Sequence, residues 1–225
     1  MVIYIVKEGD SIFSIAESFG VPESLITSYN GLSAQPGLVP GQAIIILNPD
    51  VTATVQSGDS LDSIASAYGT DLNTILRNNP GLSRDDTLYP GQTVVISYDG
   101  EKLGNLSVNG YAYTYIDRNI LSSVLPFLTY LTIFTYGFQP DGTLVVPEGD
   151  EELIGIARSY GVAPVMLLST LTEEGNFSNQ LSSAIFNDAA ARENLIQNVL
   201  AVIREKNYYG LDIDFEYVFT SEAQA

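Results

Sequence analysis

Asp212, Asp214 and Glu216 alternate with Leu211, Ile213 and Phe215 near the C-terminal end of the chain. A strict period of two predicts a β-strand over 211–217. Residues i, i+2 and i+4 of a strand share one face, so the three carboxylates would stand side by side. Their mutual repulsion raises the proton affinity of at least one of them. A carboxyl that keeps its proton near neutral pH is what general acid catalysis needs. The same alternation also fits an ordinary half-solvated strand of an antiparallel sheet. The preceding segment weighs against that, because 188–206 reads as a helix running directly into the strand. Helix followed by strand predicts an α/β unit, whose strands are covered on both faces and carry acids only for a reason.

This stretch resembles the signature strand of glycoside hydrolase family 18, the chitinase-like enzymes, whose pattern is D-x-x-D-x-D-x-E. Asp212, Asp214 and Glu216 match, while Tyr209 stands where the family has its first acid. The resemblance implies a (β/α)8 barrel with the acids at the end of its fourth strand. It implies a retaining, substrate-assisted hydrolysis in which the substrate supplies the nucleophile. Glu216 would protonate the glycosidic oxygen, Asp214 would orient the attacking 2-acetamido group, and Asp212 would tune Asp214. Tyr136, on the second strand, would line the sugar site, although the plainer reading of a Tyr in a strand is packing. No metal or cofactor enters this chemistry.

The elements that must position these residues begin after about residue 107. Strands are predicted over 108–116, 131–138, 164–170 and 211–217, and helices over 120–128, 150–160 and 188–206. Repeated β-then-α units predict a parallel sheet or barrel. The acidic strand is the fourth, as the resemblance requires.

The first hundred residues are a different kind of sequence. Gly9-Asp10-Ser11 recurs as Gly58-Asp59-Ser60, at an offset of 49 residues, and Asn30 recurs as Asn79. Pro40-Gly41-Gln42 recurs as Pro90-Gly91-Gln92, one residue later. Such a steady offset means two copies of one module. Each copy reads strand, helix, helix, strand. Ser11 is placed to cap a helix in which Ile12, Ile15, Ala16 and Phe19 share one face. Gly20 ends that helix and Pro22 opens the next.

These features resemble the LysM module, a βααβ domain that binds N-acetylglucosamine-containing polymers such as peptidoglycan and chitin. The resemblance covers 2–48 and 51–98, with 99–106 as a linker and 107–225 as the acidic-strand domain. It implies a shallow sugar groove made by Gly9, Asp10, Ser11, Ile12, Asn30 and Leu32 in the first copy. In the second, the groove would be Gly58, Asp59, Ser60, Leu61, Asn79 and Leu82. The residues themselves leave a plainer reading open: the glycines serve backbone geometry, and the Asp and Ser side chains cap helices. Residues 146–162 echo the start of the module, but the Gly-Asp to Ile-Ala spacing is one residue too long. They read instead as the second helix of the α/β domain.

Composition removes several alternatives. The 225 residues carry nine Lys and Arg against 27 Asp and Glu, a net charge of −18. Without a basic patch, no nucleic-acid partner is expected. With neither Cys nor His, disulfides, thiol nucleophiles, His-based triads and the usual zinc sites are excluded. No apolar run reaches the roughly 20 residues of a membrane span, and no classical signal peptide is visible. The pairing of LysM modules with this barrel resembles bacterial spore-cortex glucosaminidases. Peptidoglycan is then the expected partner, and the spore cortex, coat or cell wall the expected location. A complete barrel takes about 250 residues, so the expectation is a barrel present only to about its fourth strand. The alternative is a non-catalytic LysM protein with a truncated, inactive barrel.

Overall fold

The computed structural model describes residues 1–32, 37–100, 104–172 and 175–215. It divides into two compact units, Met1–Asn105 and Leu106–Ala225.

The first unit holds the repeat. In the first copy β1 (Val2–Ile5) pairs antiparallel with β2 (Ala43–Ile46), with α1 (Ile12–Phe19) and α2 (Glu23–Tyr29) between them in sequence. The second copy repeats this with β3 (Pro49–Thr54), α3 (Leu61–Ala67), α4 (Leu72–Asn78) and β4 (Thr93–Tyr98). The helix starts follow the expected chemistry. Ser11 accepts from the Ser14 backbone N–H while the Ser14 hydroxyl accepts from that of Ser11, and Ser60 and Ser63 do the same. Such reciprocal boxes satisfy donors that a helix start leaves orphaned. Gly20 closes α1 at φ +67°, a left-handed conformation that favours glycine.

A two-stranded sheet is marginal alone, so each copy needs its helices locked onto its strands. Asn30 supplies that lock in the first copy. Its amide donates to the carbonyls of Ile26 in α2 and Ile45 in β2, and its oxygen accepts from the Ile45 N–H at 2.6 Å. Asn79 makes the same three bonds to Ile75 and Val95 and is itself buried. The core of the first copy contains Val6, Ile15, Val21, Ile26, Ile44 and Ile46.

The second unit is a parallel sheet in the order β5 (Asn109–Tyr113), β6 (Tyr130–Phe138), β8 (Ala163–Ser169), β9 (Gly210–Asp214). A short β7 (Leu144–Val145) pairs antiparallel with β6. Between the parallel strands run α5 (Arg118–Val124), α6 (Asp150–Ser159), α7 (Asn179–Asn187) and α8 (Ala189–Glu205). Sequence periodicity missed α7 and β7. Asp150–Ser159 form α6, a helix between parallel strands rather than a third module. Among the described residues no helix is long and apolar enough to cross a membrane.

Asn79→Ala strips a buried backbone carbonyl and N–H of their partners. It should lower stability by about 2 kcal/mol, seen as a drop in the urea midpoint at unchanged slope. An unchanged midpoint would mean that the brace carries no stability.

Candidate active site and wall-binding modules

The register of the sheet decides which residues meet. Gly210, Leu211, Asp212, Ile213 and Asp214 lie opposite Val165, Met166, Leu167, Leu168 and Ser169. Neighbours in register point the same way, so Asp214 stands beside Ser169 on the face that also carries Asp212. Ser169 is fully buried and its hydroxyl lies 2.9 Å from that of Thr135. A short polar row, Thr135–Ser169–Asp214, therefore crosses three strands at their C-terminal ends.

The same face curls. The Tyr111 hydroxyl on β5 donates to the Asp212 carboxylate on β9 at 3.1 Å, across β6 and β8. In a flat sheet three strand steps would separate these strands by about 14 Å, with both side chains upright. The bond therefore requires the first and fourth strands to bend toward each other. Hydrogen bonding to Asp212 also raises the Tyr111 hydroxyl above its ordinary pKa. Tyr113 and Tyr115 stack at 5.1 Å, and Tyr113 meets Phe134 at 4.8 Å, adding an exposed aromatic surface beside the acids. A hollow of about 290 Å³ lies on this face, lined by Asn109, Tyr130, Thr132 and Asp212 among others.

Glu216 lies outside the described residues. The residue before it, Phe215, rests against Phe138 at 5.3 Å and Phe186 at 6.2 Å, which anchors the chain as it leaves β9.

Tyr136 requires a correction. It was expected to line the sugar site, but it is fully buried and in register with Leu168 and Ile213, opposite the acids. Its hydroxyl donates to Asp150, the first residue of α6. Burial, then that bond, pushes the phenol up to about 12. A neutral phenol facing away from the acids is a packing group, not a sugar contact.

Asp150 is the centre of this buried cluster. It accepts from Lys206 Nζ at 2.8 and 2.9 Å and from the Tyr208 hydroxyl at 3.0 Å, besides Tyr136. Burial alone would push its carboxyl up, but Lys206 and the two hydroxyls outweigh burial and hold it below its ordinary range. Lys206 is likewise raised, its partners outweighing desolvation. Asn207 then turns the chain at φ +58° toward β9, the left-handed helix ending that Asn tolerates among non-glycine residues.

In the modules, the structure gives the groove residues of each copy internal work. Asp10 accepts from the Lys7 N–H at 2.7 Å and the Tyr4 hydroxyl at 2.8 Å, and Asp59 from the Gln56 N–H at 2.8 Å. Each locks the turn that Gly9 (φ +86°) or Gly58 (φ +93°) makes possible. Ser11 and Ser60 cap helices, and the amides of Asn30 and Asn79 are spent on the braces. Ile12 and Leu32 pack against the first core, Leu61 is buried in the second copy, and Leu82 lies half-buried just past the Asn79 brace. What these loops can offer a sugar is chiefly backbone shape and apolar edges.

Together these features define a modular chain: two small βααβ units followed by an α/β domain with acids on one face of a parallel sheet. The LysM domain family model matches residues 4–47 and 53–97, and the two copies are LysM domains. Over 99% of its length the chain is 31% identical to the cortical fragment-lytic enzyme of Bacillus anthracis, covering 52% of that protein. It is similar to the crystal structures of the spore cortex-lytic enzyme SleL from Bacillus cereus (30% identity, TM-score 0.67) and Bacillus megaterium QM B1551 (29%, 0.68). In each case 99% of this chain and 52% of the other are covered. The second unit is thus a SleL-like α/β domain. The chain spans about half the length of the curated relatives it matches.

Asp150→Asn breaks the buried pair and should cost about 2–3 kcal/mol at pH 7, somewhat less than a wholly buried pair because Lys206 keeps some solvent contact. A depressed Asp pKa gives stability that is present above the unfolded value, about 3.9, and lost as pH falls through the folded one. A raised Lys pKa gives stability present below about 10.4 and lost as pH rises through its folded value. The difference between wild type and variant, from urea unfolding, should therefore be flat from about pH 5 to 10 and shrink outside that range. A difference that grows toward acid would contradict the assignment.

Proposed function

We propose that this chain is the part of a peptidoglycan-active glycosidase that binds the wall and carries its acidic strand, working on spore cortex or cell wall at N-acetylglucosamine. The observation that carries this reading is the joining, in one chain, of duplicated LysM domains to a curled parallel sheet with Asp212 and Asp214 on its inner side. The names of its relatives, which describe cortex-lytic enzymes, point the same way. On this reading 2–48 and 51–98 hold the wall, 99–106 links, and 107–225 forms the first four strands of a (β/α)8 barrel.

Glu216 would follow β9 at the C-terminal end of the sheet, where such barrels keep their active sites. It would donate its proton to the glycosidic oxygen as the bond to the leaving group breaks. The substrate's acetamido oxygen would close on the anomeric carbon, with Asp214 hydrogen-bonded to the acetamido N–H and Asp212 held by Tyr111 beside it. Water would then open the oxazolinium with retention, returning the proton to Glu216. The tyrosines of β5 offer neutral rings against which sugar faces pack.

A non-catalytic wall binder is the second reading. The observation favouring it is that each LysM copy pairs its own two strands and braces them to its own second helix, independently of the acidic strand. Reducing-sugar release from purified cortex peptidoglycan, scored with pelleting on the insoluble wall, separates the two. On the enzyme reading Glu216→Gln cuts release by about 10²–10⁴-fold and leaves pelleting intact. Pelleting with no release from either form would establish the binder, and absence of both would end the wall reading.

A further inference from the structure

The two LysM domains are joined at equivalent positions of the repeat. Tyr29 ends α2, and the residue 49 positions later is Asn78, which ends α4. The Tyr29 hydroxyl donates to the Asn78 carbonyl, and its ring meets Tyr98 edge-on at 5.7 Å. Burial raises the Tyr29 hydroxyl far above its ordinary pKa, so this donor stays protonated. The clasp brings α2 against the loop after α4, close enough that a Cβ on Gly81 would lie 3.7 Å from that of Ser28.

Beside the clasp lies a cleft of about 310 Å³. Ser24, Leu25 and Ser28 of the first domain form one wall, while Leu82, Gln92 and Thr93 of the second form the other. No ionisable side chain lines it, in a chain of net charge −18. Its volume is at the small end for ligand pockets, about 300–1,000 Å³. Leu25 and Leu82 offer apolar surface for an acetamido methyl and a sugar face. Ser24 and Thr93 offer hydroxyls, and Gln92, whose oxygen accepts from the Tyr89 N–H, keeps an NH₂ group as donor.

We infer that this cleft is a carbohydrate site shared by both domains, taking an N-acetylglucosamine unit of a glycan strand that continues along them. The identity of the sugar rests on the wall-binding reading above; the site itself rests on the cleft. One strand bridging both domains binds more tightly than two separate contacts, because the second contact becomes intramolecular.

The test is calorimetric titration of the full chain with the N-acetylglucosamine hexamer. One hexamer should bind per chain. Ser24→Trp, an exposed position whose new ring would fill the cleft, should weaken binding at least tenfold. Thr93→Ala removes one hydroxyl without adding bulk and should weaken it about threefold, which guards against a misfolded Trp variant; thermal unfolding of both checks the fold. Wild-type affinity in both variants would overturn the shared site and leave the wall reading standing. A wild-type chain that does not bind the hexamer would overturn both.

Discussion

The second unit depends on one buried carboxylate. Asp150 begins α6 and gathers a hydroxyl from β6, an ammonium from the end of α8 and a hydroxyl from the approach to β9. Ionised, it also sits where a helix start favours negative charge. An ion pair of this kind need not add net stability, since desolvation offsets much of the attraction. What it does is remove freedom from the chain just before the acidic strand. Side chains alternate along a strand, so a slip of one residue would turn Asp212 and Asp214 toward the helices. Asp150, through Lys206 and Tyr208, and the left-handed turn at Asn207 hold the phase that keeps them on the inner face.

Phase also explains what could and could not be read from sequence. Strict alternation from Leu211 onward placed Asp212 and Asp214 on one side, and the register bears that out. The same counting on β6 misleads. Taken by twos from Thr132 through Phe134, Tyr136 belongs on the inner face. A bulge between Ile133 and Tyr136 inserts one residue and sends Tyr136 to the helix side. Bulges leave little trace in a hydrophobic run, because both faces of such a strand are apolar. The helix α7 was missed for a different reason. It is short, and the Asp188 cap that starts α8 also closes it, so only the longer helix stood out. Thr135, Ser169 and Tyr111 carried no signal of their own; only the curl of the sheet assembles them around the acids.

The repeat was the most legible part, since each recurring residue has a local task. Positive-φ glycines make the turns, Asp10 and Asp59 lock them, serines cap helices, and Asn30 and Asn79 brace strand to helix. These tasks recur because each copy is too small to hold itself together without them. The positions where the copies differ do something else. Tyr29 and Asn78 occupy one site of the repeat, and the Tyr29 hydroxyl donates to the Asn78 backbone carbonyl. Symmetric residues build the domains, and an asymmetric pair joins them.

That division bears on how so acidic a chain could hold a cell-wall polymer. At net charge −18 it gains nothing from attraction to other anions. On the proposed function, its contacts with a glycan come from neutral groups: backbone in the Gly-Asp-Ser turns, hydroxyls and apolar edges between the domains, tyrosine rings on β5. Each such contact is worth little alone, because sugar hydroxyls give up good hydrogen bonds to water. Affinity must then come from many weak contacts held in fixed relation. Within the first unit the Tyr29 clasp supplies that relation; in the second the buried Asp150 cluster does the same for the strand that carries the acids.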